Sequence, residues 1–309
     1  MTTADTYAVI DLLHENRSYQ FEVLEAAIVA LSQGRHVRSL YVRGSIAQSS
    51  ADRLSDVDVV VVVDDDAFVD HVRNSDRVVK SFSTPLFAGW SDRLAPNFGG
   101  HGLVYLLRGP HGIYQLDLYY LPASKVGAFL ERHDEQHVFE ARRVYLDSSF
   151  REDFRDASAT SAAEVPHSAA TPASSVAEAF VLSFLMKKRV ERGEYLASVH
   201  ELTLVKEATR DHLRRELFPN TTHTDWYKLD VDLSGTVKLR DLRERMLRLA
   251  DTPSCRNLDD VRAFVGEWVD VFSIVSAGAL GEVAVAADHV LEAGFGFSAQ
   301  KSAELLESW

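Results

Sequence analysis

The residues best suited to chemistry are concentrated in one stretch, Val42-Arg-Gly-Ser-Ile-Ala-Gln-Ser-Ser-Ala-Asp-Arg-Leu-Ser-Asp-Val-Asp-Val59. Asp56 and Asp58 stand two apart at the start of a valine run. On a strand, residues so spaced share a face, with about 7 Å between them along the chain. Two neighbouring carboxylates repel each other and cost stability unless a cation lies between them. Such hard oxygen ligands suit Mg²⁺, which is held by a few carboxylates together with substrate phosphates. Upstream, Gly44 permits close approach of the backbone to a phosphate, and Ser45 offers an N–H and a hydroxyl to triphosphate oxygens.

A third carboxylate fits the same chemistry. Asp117 lies within Gln115-Leu-Asp-Leu-Tyr119, in the middle of an otherwise apolar segment. Aspartate is a poor strand former and is costly to bury without a partner. If its strand runs beside the one that begins at Asp56, Asp117 completes a cluster of three. Two metal ions so held serve an in-line displacement at phosphorus, one at the attacking oxygen and one at the leaving group. Taken singly, Gly-Ser is a turn and Asp-x-Asp a solvated strand end. Their order along one chain is what points to a metal site.

The elements that must position these residues are also readable. Ile10, Leu13, Phe21, Leu24, Ala27 and Leu31 recur at helical spacing from Tyr7 to Leu31, with Gly34 as the stop. A strand is expected near Val37–Arg43, then the Gly-Ser turn, then a buried central strand over Val57–Val63. Asp64–Asp66 is expected to cap a short helix reaching about Asn74, with Arg77–Phe82 as a further strand. Ser83–Gly100 reads as loop. Leu103–Leu107 and Ile113–Leu121 read as a hairpin across Arg108-Gly-Pro-His-Gly112. This first domain, residues 1–150, is followed by a linker over 151–175, whose Ala/Ser/Thr-rich part is 157–175. Residues 176–309 read as helical, with helices over Val176–Arg192, Glu194–Phe218 and Asp259–Gly278. The fold class expected is α+β: a small mixed β-sheet with flanking helices, then an α-helical bundle.

Composition narrows the function classes. The 309 residues leave room for two cores, and 46% hydrophobic with 26% charged residues is ordinary for a globular chain. No apolar run approaches the roughly 20 residues of a membrane-spanning helix. The net charge of −13 disfavours a nucleic-acid partner, whose binding needs a cationic surface, and favours a polycationic or metal-bound one. The single cysteine, Cys255, excludes an internal disulfide and a cysteine-based zinc site. The expectation is a cytoplasmic monomer with no membrane partner.

At these residues the chain resembles the nucleotidyltransferase superfamily related to DNA polymerase β, whose signature is Gly-Ser, a spacer, Asp-x-Asp and a later Asp on a strand. Within it the chain looks most like the aminoglycoside 6-adenylyltransferases, the streptomycin-modifying group. Gly102-Leu-Val-Tyr-Leu-Leu107 and Leu116-Asp-Leu-Tyr-Tyr-Leu-Pro122 match the segments around the third aspartate. Glu178, Lys188, Arg192 and Glu194 match the start of the family's second domain, and Val271-Phe-Ser-Ile-Val-Ser-Ala-Gly278 its C-terminal end.

The resemblance implies an enzyme that transfers AMP from ATP, or another nucleoside monophosphate from its NTP, to a hydroxyl of a small polar acceptor such as streptomycin. Asp56 and Asp58 would bind Mg²⁺, two ions in all with Asp117. Asp117 would be a further metal ligand or the general base, a role for which Glu178 is the alternative. Gly44, Ser45, Arg43 and Lys188 would bind the nucleotide, and Glu178 and Asp92 the acceptor, with Glu194 and Glu201 as further acids. The chain departs from the family at Ile46, where many relatives carry arginine, and at Ala179-Phe-Val181, where they carry a Trp-rich patch. The same chemistry on a biosynthetic metabolite or a protein side chain is the second reading. A catalytically silent nucleotide-binding or antitoxin-like module is the third, and it predicts a broken carboxylate set.

Overall fold

The computed structural model describes residues 19–47, 50–92, 99–109, 112–136, 142–144, 172–223, 225–235 and 239–275. The chain divides into two compact units, Met1–Ser168 and Ala169–Trp309. It is a mixed α+β protein. The expected helix before residue 19, the linker over 151–171 and the last helix beyond residue 275 lie outside the described residues.

The first unit is a mixed six-stranded sheet in the order β3-β4-β5-β2-β1-β6. The strands are β1 (Val37–Arg43), β2 (Val57–Val63), β3 (Trp90–Ser91), β4 (His101–Gly109), β5 (Gly112–Pro122) and β6 (Arg142–Val144). β2 pairs parallel with β5 and antiparallel with β1, while β4 pairs antiparallel with both β3 and β5. β-Branched valine suits a pleated strand, and the unbroken run in β2 reflects cover on both faces. On one face Val57, Val59, Val61 and Val63 pack with Val23, Leu24, Ala27 and Leu31 of helix α1 (Tyr19–Ser32) and with Phe68, Val72 and Val79 of helix α3 (Phe68–Phe82). A single helical turn, α2 (Gly44–Ala47), follows β1. On the other face Val60 and Val62 pack with Tyr41, Tyr119, Leu121, Val126 and Phe129, the last two from α4 (Val126–Gln136).

The expected elements are corrected at three places. Helix α3 opens at Phe68 after Ala67 with no side-chain cap, so Asp64–Asp66 does not cap it. The expected loop over Ser83–Gly100 contains the short strand β3. Arg77–Phe82 is the second half of α3 and not a strand. Phe68, Val72, Ser75 and Val79 are all buried on α3. That spacing of four, three and four is one continuous helical face. Ser75 and Asp76, which look like a turn in the sequence, are held against the sheet. The Tyr105 hydroxyl is 2.9 Å from Ser75 Oγ and donates to Asp76 Oδ1 at 2.8 Å.

The described residues of the second unit form helices and turns: α5 (Pro172–Arg192), α6 (Tyr195–Leu217), α7 (Leu229–Ser234), α8 (Arg240–Asp251) and α9 (Leu258–Val275). Gly193 adopts a left-handed φ of 74°, which ends α5 and lets α6 begin two residues later. The core gathers around Trp268 of α9, whose ring lies 4.7 Å from that of Phe180 and whose Nε1 donates to Ser183 Oγ at 3.0 Å.

Candidate functional site

Pairing register builds the site. Arg43 of β1 is opposite Asp58 of β2, and Asp58 is opposite Asp117 of β5. Asp117 is opposite Val104 of β4, which in turn faces Trp90 of β3. Register partners project to the same face of a sheet. Trp90, Val104, Asp117, Asp58 and Arg43 therefore form one row across five strands, with Asp58 and Asp117 on strands about 4.8 Å apart. Along the same face the row gives way to the apolar cluster of Val60, Val62, Tyr119 and Leu121 beneath α4. The polar row is thus the end of that face, beyond the apolar contacts.

The Asp58 carboxylate is held from two sides. Its Oδ1 lies 3.4 Å from Arg43 Nε, in a pair whose side chains are 11% (Arg43) and 15% (Asp58) exposed. Its Oδ2 occupies the space of a missing side chain: a Cβ on Gly44 would lie 2.2 Å from it. Gly44 also has φ +67°, a conformation that L side chains rarely adopt. Next to it the Ser45 Oγ is buried without a hydrogen-bond partner among the described residues. Ser45's carbonyl is already engaged, accepting from Ser50 N at 2.9 Å. A glycine that admits a carboxylate and a buried hydroxyl in want of an acceptor form a cradle fit for a cation and phosphate oxygens.

Asp117 is half-buried, and its Oδ1 accepts from Gln115 Nε2 at 2.8 Å. Gln115 is 3% exposed, so the carboxylate is oriented by a buried, uncharged donor. Asp56 is half-buried and directly precedes β2. The loop that delivers it is fixed by Asp52, whose Oδ1 accepts from Leu54 N and Ser55 Oγ, both at 2.9 Å. Gln20 of α1 ties that loop down by donating to the Arg53 carbonyl at 3.0 Å. Asp92 extends β3 by donating its N–H to the Gly102 carbonyl at 2.9 Å. Gly102 faces Tyr119, which puts Asp92 on the carboxylate face, one row along.

The structure therefore brings Arg43, Gly44, Asp58 and Asp117 together, with Ser45 adjoining, Asp56 at the head of β2 and Asp92 at the sheet edge. Glu178 and Lys188 belong to the second unit. Glu178 is half-buried, and Lys188 is 2% exposed with its Nζ 5.9 Å from the Phe184 ring centroid. Of the three basic residues at 187–189, Lys188 is the inward one. Lys187 pairs with Glu191 at 2.7 Å and Arg189 with Glu194 at 2.8 Å. Glu201 is buried, and burial raises its carboxyl above the usual value although Arg189 and Lys188 pull it down.

Sequence reasoning missed Gln115 and Gln20, whose roles follow only from which strand or loop they face. It also missed His36, Asp64 and Asp66, whose ligand atoms lie within 4.8 Å of one another at the far end of β2. Beside them is a cleft of about 520 Å³ lined by His36, Asp66, Asp70, His71, Arg77 and Tyr120. Both Asp64 oxygens are already engaged there, one by Arg38 Nε and the other by His36 Nδ1 at 3.0 Å. Burial alone would raise the Asp64 carboxyl, but these two partners hold it below its ordinary value. Asp64 is thus accounted for as the centre of an ion-pair network with Arg38 and His36. Cys255 is fully buried with its thiol pushed up to about 12 by burial, so it is no nucleophile near neutral pH. No helix among the described residues is long and apolar enough to cross a membrane.

No protein-family model matches the chain, and no curated protein matches it.

Proposed function

We propose that this chain is a magnesium-dependent nucleotidyltransferase, transferring AMP from ATP to a hydroxyl of a small polycationic acceptor, an aminoglycoside such as streptomycin. The observation that carries the reading is the pairing of Asp58 with Asp117 on neighbouring parallel strands, with the Asp58 carboxylate seated where Gly44 lacks a side chain. Asp56, Asp58 and Asp117 would hold Mg²⁺. Bound there, the metal supplies charge stabilisation at the triphosphate and the leaving pyrophosphate. Gly44 makes room for the Asp58 carboxylate, Ser45 donates its unpartnered hydroxyl to the triphosphate, and Arg43 adds a cation. Asp117 takes the proton of the acceptor hydroxyl as that oxygen bonds to the α-phosphorus. The bond from the α-phosphorus to the bridging oxygen breaks, and pyrophosphate departs.

The polycationic acceptor is favoured by the net charge of −13 and by Asp92 on the carboxylate face. A cytoplasmic home suits a chain with one cysteine. The bundle form of the second unit rests on the helical spacing of its apolar residues, and the roles of Lys188 and Glu178 rest on the family resemblance.

The test is pyrophosphate release from Mg–ATP, and separately Mg–GTP, across a panel of aminoglycosides, with product masses measured. Release with streptomycin and a mass gain of one AMP is the expected result. Silence with every acceptor while Mg–ATP still binds moves the acceptor to metabolites or proteins. Silence without nucleotide binding contradicts the reading.

A further inference from the structure

The proposed site contains a cation of its own, and its placement has a consequence for metal binding. Arg43 and Asp58 are opposed across β1 and β2, so backbone pairing sets their proximity. Between them the two sides of Asp58 are both occupied: Oδ2 lies over Gly44, and Oδ1 is beside Arg43 Nε at 3.4 Å. That distance is longer than the roughly 2.7–2.9 Å of a charge-assisted hydrogen bond. The pair is held by charge and by backbone register, without a tight directional bond. Arg38 and Asp64, in the same unit, show the other kind of pair, with Nε hydrogen-bonded to Oδ1. In the same position the Arg43 Cζ is 5.8 Å from the Tyr119 ring centroid, within cation–π range.

We infer that Arg43 is the resident counter-ion of Asp58, yielding the carboxylate when a divalent cation binds and passing its guanidinium to the phosphate oxygens of the incoming nucleotide. The inference rests on the nucleotidyltransferase reading of the site. The fork of a guanidinium matches two phosphate oxygens better than it matches the single carboxylate oxygen it now faces. A cation arriving alone must compete with Arg43 for Asp58. A cation arriving with a triphosphate offers Arg43 a new partner, so the two ligands assist each other's binding. Arg43 thereby makes the site selective for the metal–nucleotide complex over free metal.

The experiment uses the full chain and no turnover. Mn²⁺ alone is titrated against wild type, R43Q and D58N, with free Mn²⁺ read by electron paramagnetic resonance. A non-hydrolysable ATP analogue with Mg²⁺ is titrated in parallel by calorimetry. R43Q is expected to bind Mn²⁺ about threefold more tightly than wild type and the analogue about tenfold more weakly. Unchanged or weaker Mn²⁺ binding by R43Q overturns the inference. D58N is expected to lose Mn²⁺ binding; if it binds as wild type does, the carboxylate site itself is wrong, whatever R43Q shows. Should R43Q not fold, R43K carries the test. Lysine keeps the charge but loses the fork, so Mn²⁺ affinity stays at the wild-type value while the analogue binds more weakly. Full analogue affinity in R43K contradicts the inference.

Discussion

At Gly44 two separate constraints meet. Its φ of +67° disfavours any side chain, and a Cβ there would press to 2.2 Å from Asp58 Oδ2. Gly44→Ala is expected to lower stability by about 1–2 kcal/mol through backbone strain and to displace the carboxylate. Loss of near-attack geometry makes the expected fall in turnover about hundredfold. Gly127→Ala is the matched control, since Gly127 lies exposed on α4 and a Cβ there meets nothing within 4 Å. Chemical denaturation and pyrophosphate release on both variants check this, and equal activity in the two would show that Asp58 does not depend on Gly44. Gly44, Ser45, Asp56, Asp58 and Asp117 were legible in the sequence because residue type and spacing alone mark them. The partnership of Arg43 with Asp58 and of Gln115 with Asp117 was not. The first depends on cross-strand register, and the second on a side-chain conformation.

Among the elements, β2 and the β4–β5 hairpin were legible because each centres on a run of apolar residues bounded by turn chemistry, and β1 because Leu40, Tyr41 and Val42 lead into the Gly44-Ser45 turn. α3 was misread where Asn74, Ser75 and Asp76 interrupt its pattern. Single-residue propensity favours a break there, but the Tyr105 hydroxyl supplies Ser75 and Asp76 with partners from the sheet. Tertiary context outweighs the local preference.

The contact between α6 and α9 carries a pH prediction. His212 of α6 is fully buried and stacks on Phe272 of α9, with ring centroids 4.3 Å apart. Burial, and then the charge of Arg215, push its pKa down to about 4. The folded state therefore favours neutral histidine. Its contribution is fully present above the unfolded-state pKa near 6.5 and is lost as pH falls from there towards 4. The expected loss from this group is on the order of 2–3 kcal/mol between pH 7.5 and 4. Urea unfolding of wild type and His212→Phe across that range measures it, and parallel pH profiles would contradict the assignment.

For the whole molecule, the two compact units are Met1–Ser168 and Ala169–Trp309, and the carboxylates and glycine cradle of the proposed chemistry all lie in the first. The charge surplus was legible from composition, and it bears on the acceptor without bearing on the reaction. The central claim therefore rests on one carboxylate pair in one sheet. The most direct test is pyrophosphate release from Mg–ATP with streptomycin, compared between wild type and Asp58→Asn, with folding of both verified by circular dichroism. The account predicts measurable release by wild type and a loss of about a thousandfold or more in a folded D58N protein. Activity retained by D58N would contradict it.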